Sequence, residues 1–256
     1  YRVLTNNFYS IEGHCKMKID INCDMGESFS LYKMGNDEAI MPYITEANVA
    51  CGFHGSDPNH MRKTVRLAKQ HNLKIGAHFS LPDLAGFGRR EMKIDRDEMA
   101  NIVIYQIGAL KGFLEAEGVK LSHLKPHGAL YGMAARQEEI AHAMCDAAEI
   151  FQLPIFGLAG TLHEKIYETR GLEFVPEFFA DLEYDDNGRL IITREHSELN
   201  SDAVGQKALR AVKEGIVVST GGKEISVKAR TVCIHSDTPN VTEIAHCVHT
   251  ALSEYL

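Results

Sequence analysis

The sequence has no run of about 18 apolar residues, so no transmembrane helix is expected. The N-terminal stretch lacks a basic region followed by an apolar one, which argues against a secretory signal. No two of its six cysteines (Cys15, Cys23, Cys51, Cys145, Cys233 and Cys247) form a CxxC pair. A chain of 256 residues, 45% of them hydrophobic, can bury a core without covalent staples. Reduced thiols, a cytoplasmic location and no zinc ribbon are therefore expected. No GxGxxG follows the first β-rich run and no GxxxxGK[ST] occurs, which disfavours dinucleotide and phosphate-loop folds. The net charge is −8, and the nearest thing to a basic patch, Arg62-Lys63 with Arg66 and Lys69, has the spacing of a solvated helix face. Nucleic acid is not an expected partner.

What is present is an alternation. Residues 1–16 are irregular and polar, and read as an appended segment without a functional part. Residues 17–256 read as one catalytic domain. Its candidate strands are Lys18–Asn22, Ala47–Cys51, Lys74–His78, Lys120–Pro126, Pro154–Leu158, Glu173–Ala180 and Thr231–Asp237. Helices are expected between most of them. Asp57 and Pro58 open one, with Met61, Val65 and Ala68 on its apolar face. Asp95 with Glu98 opens another, which Gly118 ends. Further helical periods cover Gln137–Ile150, Ser201–Glu214 and the stretch after Pro239. Alternating strands and helices imply a parallel sheet, and about seven units imply a closed or nearly closed (β/α) barrel; an open doubly wound sheet is the alternative. Ile216–Ser219 and Glu224–Lys228, around Thr220-Gly221-Gly222, read as a β-hairpin inserted before the last strand.

In such barrels the reactive groups gather where strands run out into loops. Here the strand ends read Asn22-Cys23-Asp24, Cys51-Gly52-Phe53-His54, Gly76-Ala77-His78, Lys125-Pro126-His127, Glu177 to Asp181, and His235-Ser236-Asp237. Each puts an ionisable group at the same end of the sheet. Ordinary roles stand beside the functional ones. Asp24 before Met25-Gly26 also suits a turn, His54 and His78 also suit satisfied imidazoles, and Asp237 also suits a helix cap. Lys125 is harder to explain without function, since a lysine in a buried strand needs a partner or a bound anion. His14, His60, His71, His142, His163, His196, His246 and His249 read as ordinary helix, loop or tail residues.

The runs IDINCDMGESFSLYKMGNDE (19–38), ANVACGFHGSDP (47–58), GFGRREM (86–92), YQIGAL (105–110), LKPHGALY (124–131) and CIHSDTP (233–239) closely resemble the LamB/YcsF family. The resemblance covers nearly the whole chain after Lys16, in order. It implies a distorted (β/α) barrel of the glycoside hydrolase/deacetylase type. It also implies ATP-dependent opening of 5-oxo-L-proline, or a related lactam, to L-glutamate, with ATP and Mg²⁺ bound through a complex with separate 5-oxoprolinase subunits B and C. Where family members carry HPGFPD or HPSFPD, this chain has His78-Phe79-Ser80-Leu81-Pro82-Asp83.

Opening a lactam needs a polarised carbonyl, a nucleophilic water and a proton for the leaving nitrogen. With no phosphate loop in this chain, much of the nucleotide site is expected on a separate chain. Asp24 is the expected general base, Lys125 the partner of a substrate carboxylate or phosphoryl oxygen, and Asn22 and His127 the groups that orient water or donate to the oxyanion. Glu27, Asn48, His78, Arg89, Arg90 and Asp237 are the expected substrate contacts. Asp24, His54 and His127 form a candidate trio for Zn²⁺ or another divalent ion, of the kind used by barrel relatives that remove acetyl groups. Two rival readings stay open, a metal-dependent deacetylase-like hydrolase and a non-catalytic scaffold within the lactamase complex. Self-association is compatible with all three.

Overall fold

The structure is a computed structural model, and it describes residues 18–192 and 197–256. The N-terminal appendage expected at 1–16 lies outside the described residues, as do His14 and His196. Seven parallel strands close into a barrel: β1 (Asp20–Met25), β2 (Glu46–Ala50), β3 (Lys74–Phe79), β4 (Leu121–Pro126), β5 (Ile155–Gly157), β6 (Phe174–Phe179) and β7 (Thr231–Ile234). Each strand pairs with its neighbour in the chain, and β1 closes the ring on β7. No helix of the described residues is long and apolar enough to cross a membrane.

Four of the longer helices start where a side chain caps them. In α1 (Pro58–Gln70) the Asp57 carboxylate accepts from the Asn59 and His60 N–H groups and Pro58 needs no partner, while Met61, Val65 and Ala68 are buried. In α2 (Arg96–Glu117) Asp95 accepts from the Glu98 N–H, and Gly118 ends the helix in the left-handed conformation. Further helices are α3 (Gly128–Ala134), α4 (Glu138–Phe151), α5 (Leu162–Thr169), α6 (Ser201–Glu214) and α7 (Val241–Leu252), besides short helical turns at Asp37–Ile40, Met41–Tyr43 and Leu84–Gly86. The inserted hairpin forms as expected, Ile216–Val218 against Glu224–Ser226. A second hairpin, Glu183–Tyr184 with Leu190–Ile191, was not expected; two residues per arm are too few to show a period.

Outward-facing strand residues such as Ile21, Cys23, Val49, Ile75 and Ala77 are fully buried in the apolar core. Burying a large aliphatic side chain contributes about 1.5–3 kcal/mol. The inside of the barrel is different. Barrels of this kind are usually filled by Val, Ile and Leu, whereas here Asn22, Glu46, Asn48, His123, Lys125, Glu177 and Thr231 are buried. Apart from Glu177, whose oxygens make no hydrogen bond, they have hydrogen-bond partners within the structure. The Asn22 amide donates to Thr231 Oγ1 (2.9 Å), Thr231 donates to Glu46 Oε2 (2.9 Å), and the Asn48 amide donates to Asn22 Oδ1 (2.8 Å). This explains why β1 runs to Met25 and not to Asn22 as expected: its polar residues face polar partners, so polarity does not end the strand. The seventh strand errs the other way, stopping at Ile234 instead of Asp237.

His123 lies flat on Phe156, with ring centroids 4.2 Å apart, and bonds Asn48 Oδ1 through Nε2 at 2.8 Å. The ring fits only because position 76 on the neighbouring strand has no side chain. A Cβ on Gly76 would lie 2.0 Å from His123 Nε2.

Glu46 gives the interior a pH dependence. Burial, reinforced by Asp20, pushes its carboxyl up from 4.5 to about 7 against the pull of Lys74 and Thr231. The folded state therefore holds this proton more tightly than the unfolded chain. That contribution is fully present below pH 4.5 and is lost as pH rises to about 7, a total of about 3 kcal/mol. Glu46→Gln keeps an acceptor for Thr231 and does not titrate. Urea denaturation should show the variant gaining on the wild type between pH 5 and pH 8. A stability difference that does not change with pH would contradict this.

Candidate active site

The C-terminal ends of the strands surround a cavity of about 40 Å³. β1 delivers Asp24, β3 His78, β4 Lys125, and β6 Phe179, while His235 stands just past the end of β7. Loops and α3 add Arg89, His127 and Tyr131, and Leu182, Leu190 and Ile192 close the rim.

The two oxygens of Asp24 have different surroundings. Oδ1 accepts from Lys125 Nζ (2.9 Å) and Asn48 Nδ2 (3.0 Å). Oδ2 faces His78 Nε2 (3.2 Å) and His235 Nε2 (3.9 Å). Burial alone would raise this carboxyl, but His78 and Lys125 override it and hold Asp24 well below the usual carboxylate range. Asp24 is thus ionised, with Oδ2 as its working oxygen.

The expected anion-binding role of Lys125 does not fit its contacts. The side chain is 2% exposed. Nζ donates to Asp24 Oδ1 (2.9 Å), Cys233 Sγ (3.0 Å) and Asn22 Oδ1 (3.1 Å), which uses all three of its protons. Glu177 Oε1, also 2.9 Å away, adds a counter-charge without an aligned hydrogen bond. Burial disfavours the ammonium, but Asp24, Cys233 and Glu177 more than compensate and lift its pKa well above normal. Lys125 is a clamp that ties β1, β4, β6 and β7 together.

His235 is held as a cation. Its backbone N–H donates to Asp181 Oδ2 (2.7 Å) and Nδ1 lies 3.0 Å from Asp181 Oδ1. Burial would lower its pKa, yet the Asp181 carboxylate wins and pushes it up to about 9. An imidazolium therefore directs Nε2 toward Asp24 Oδ2.

Beside this pair, Glu27, His54, His78 and His127 place four potential metal-ligand atoms within 4.8 Å of one another, all buried. His54 Nε2 lies 3.1 Å from Glu27 Oε1, and His127 Nδ1 lies 3.0 Å from His78 Nε2. Burial drives the His54 ring down to about 3 and lowers His127 as well, so both are neutral. Burial and the nearby Asp24 charge raise Glu27 to about 7. The expected trio of Asp24, His54 and His127 is corrected here: His54 and His127 belong to the cluster, whereas its carboxylate is Glu27 and its third imidazole is His78.

The GFGRR turn shapes one wall. Phe87 and Gly88 are both left-handed (φ 54° and 64°), which presents the Phe87 carbonyl to His127 Nε2 at 2.8 Å. A Cβ on Gly88 would strike Ser80, His127 and His54.

Of the other expected residues, Asn22 and Asn48 are fully buried one layer beneath the cavity and do not line it. Arg90 is also away from the cavity, with its guanidinium forked on Asp83. Arg89 does line it and is paired with Asp237 Oδ2 at 2.7 Å. The altered segment Phe79–Leu81 is wholly buried; Ser80 exchanges two hydrogen bonds with Gln106, and the segment does not line the cavity. Sequence reasoning missed His235, Asp181, Tyr131 and Glu177 as site residues, although His235, Asp181 and Glu177 stand in the strand-end runs. His163 lies on α5, fully buried, and accepts from the Leu158 N–H through Nδ1.

Fold and site together define a parallel (β/α) barrel with a charged polar interior that opens into a mouth of acid and imidazole groups. The LamB/YcsF family model matches residues 19–255, and the chain belongs to that family. It is 50% identical over 241 residues to a Bacillus licheniformis protein named as the A subunit of 5-oxoprolinase, covering 91% of this chain and 92% of that one. A Staphylococcus epidermidis protein of the same name is 49% identical over 232 residues, covering 89% and 92%. The crystal structure of a lactam utilization protein from Thermus thermophilus superimposes with a TM-score of 0.86 at 43% identity, covering 93% of this chain and 97% of that one.

Proposed function

We propose that this chain, acting as a single catalytic unit over residues 17–256, binds and opens the lactam ring in a cytoplasmic, ATP-dependent 5-oxoprolinase that yields L-glutamate. The observation that carries the reading is the pairing of an ionised Asp24 Oδ2 with the His235 imidazolium across one cavity. Amide opening needs a proton acceptor for the attacking water and a proton donor for the leaving nitrogen. Asp24 takes the proton from water as oxygen adds to the ring carbonyl. His235 gives its Nε2 proton to nitrogen as the C–N bond breaks. Phe179, Tyr131 and the rim leucines match the methylene face of the ring, and Arg89 matches its carboxylate. The name shared by the relatives, the A subunit of 5-oxoprolinase, supports assembly with other chains. Subunits B and C are the proposed partners, and they supply the ATP and Mg²⁺ site, since this sequence has no phosphate loop. Leu190 and Ile192 stand at the rim through which the ring would enter.

The chain alone, given 5-oxoproline and ATP, is expected to release almost no glutamate, and addition of the partner subunits should bring full turnover. Strong glutamate release by the isolated chain would refute the division of labour. Undiminished turnover by the partners without this chain would refute its catalytic part.

A further inference from the structure

We infer that Glu27, His78 and His127 bind a first-row divalent cation with one coordination position left open, and that His54 holds Glu27 in place from behind. The inference is independent of the lactam reading and rests on the geometry of buried ligand atoms that lie within 4.8 Å of one another.

His78 Nδ1 lies 3.1 Å from the Lys125 carbonyl oxygen, and His127 Nε2 lies 2.8 Å from the Phe87 carbonyl oxygen. A carbonyl only accepts, so each of these nitrogens carries the ring N–H. With the ring N–H on those nitrogens, the opposite nitrogens are the ones that can bind an ion. These are His78 Nε2 and His127 Nδ1, and they point at each other across 3.0 Å. Glu27 Oε1 stands 3.5 Å from His127 Nδ1, and Asp24 Oδ2 stands 3.2 Å from His78 Nε2. Two imidazole nitrogens and two carboxylate oxygens converge here at full burial. A shared proton can serve one pair of them, whereas a divalent cation can serve three at once. Backbone carbonyls on the far nitrogens are also the usual outer partners of metal-bound histidines.

The spacing fits an ion. Ligand atoms of a tetrahedral site with bonds of about 2.0–2.1 Å lie about 3.3 Å apart. The pairs here are 3.0 and 3.5 Å apart. The rings of His78 and His127 are nearly perpendicular, at 88°, so both in-plane lone pairs can reach one point. His54 cannot join them in the same way. Its ring is stacked on His127 at 3.8 Å and 9°, and one ion cannot lie in two parallel ring planes. His54 Nδ1 has no partner, whereas Nε2 lies 3.1 Å from Glu27 Oε1, so the proton belongs on Nε2 and is donated to the carboxylate. Ser236 Oγ, at 3.3 Å, holds the second Glu27 oxygen. Two imidazoles and a carboxylate with an open position suit Zn²⁺ or a neighbour such as Co²⁺, Fe²⁺ or Mn²⁺. When bound, such an ion would polarise a carbonyl or acidify a water.

The test is metal binding by the full chain without substrate or partners. Purified protein is freed of metal, dialysed against Zn²⁺ or Co²⁺, and assayed by elemental analysis and visible absorption. Expected is about one ion per chain, with strong Co²⁺ bands of a low-coordinate site. His78→Ala and His127→Ala, checked for folding by circular dichroism, should lose the ion. His54→Ala should keep it at roughly 10–100-fold weaker affinity. Wild-type protein that takes up neither ion at micromolar concentration overturns the inference, and that result needs no variant to fold. So does full occupancy in a folded His78→Ala protein, or complete loss in His54→Ala alone.

Discussion

Asp24→Asn is expected to lower the turnover of the assembled enzyme by roughly 10²–10⁴-fold, the usual worth of a positioned acid or base. The substitution is small in structural terms. The Asn carbonyl can still accept from Lys125 and Asn48 in place of Oδ1, and Glu177 remains as counter-charge to the lysine. What disappears is the anionic Oδ2 that faces the cavity between His78 and His235. His78 and Lys125 hold the Asp24 carboxyl low, so the group is ionised throughout the neutral range. A loss that simply reflected protonation of the base would therefore not appear in wild-type turnover until strongly acid pH. Steady-state rates and circular dichroism on the same preparation give the comparison. Turnover within a few-fold of wild type in a folded variant would remove Asp24 from the mechanism.

Lys125→Met should act on folding before it acts on binding. Removing one partner of a buried charge set typically costs about 3–5 kcal/mol, because the partners left behind stay buried and uncompensated. Here those partners are Asp24 and Glu177, both almost fully buried. From sequence alone the same substitution would be expected to weaken substrate affinity. The structure reverses that order, since every ammonium proton already has an acceptor within the barrel. The urea midpoint should fall sharply, and Lys125→Met combined with Glu177→Leu should recover part of the loss. An unchanged midpoint would show that the clamp does not stabilise the barrel.

The architecture was legible because the outer faces of the strands and the inner faces of the helices obey simple periods. Met61, Val65 and Ala68 lie on the buried side of α1 as their spacing requires. The site was legible as far as strand ends go: of Asp24, His54, Lys125 and His127, the four expected to converge, all but His54 line the cavity, and His54 stacks on His127. What lay beyond the sequence was which partner each group would find. Asn22 becomes a support because Lys125 reaches it from a strand 103 residues away. His235 becomes a cation because Asp181, 54 residues earlier, receives it. The choice of Glu27 over Asp24 as the cluster's carboxylate depends on a left-handed turn at Gly26 (φ 72°), held by the bond from its N–H to Asp37. Three-residue spacing along the chain does not reveal that turn.

The contact between Gly76 and His123 decides which substitutions the barrel interior can accept. The imidazole occupies the space that any side chain at position 76 would need, at a separation of 2.0 Å that no bond rotation of a Cβ can relieve. A mutation to alanine at 76 alone would expel His123 from its place on Phe156 and break its bond to Asn48, directly beneath Asp24. Loss of the imidazole would open room that a side chain at 76 could fill, so the two positions can change together far more easily than position 76 can change alone.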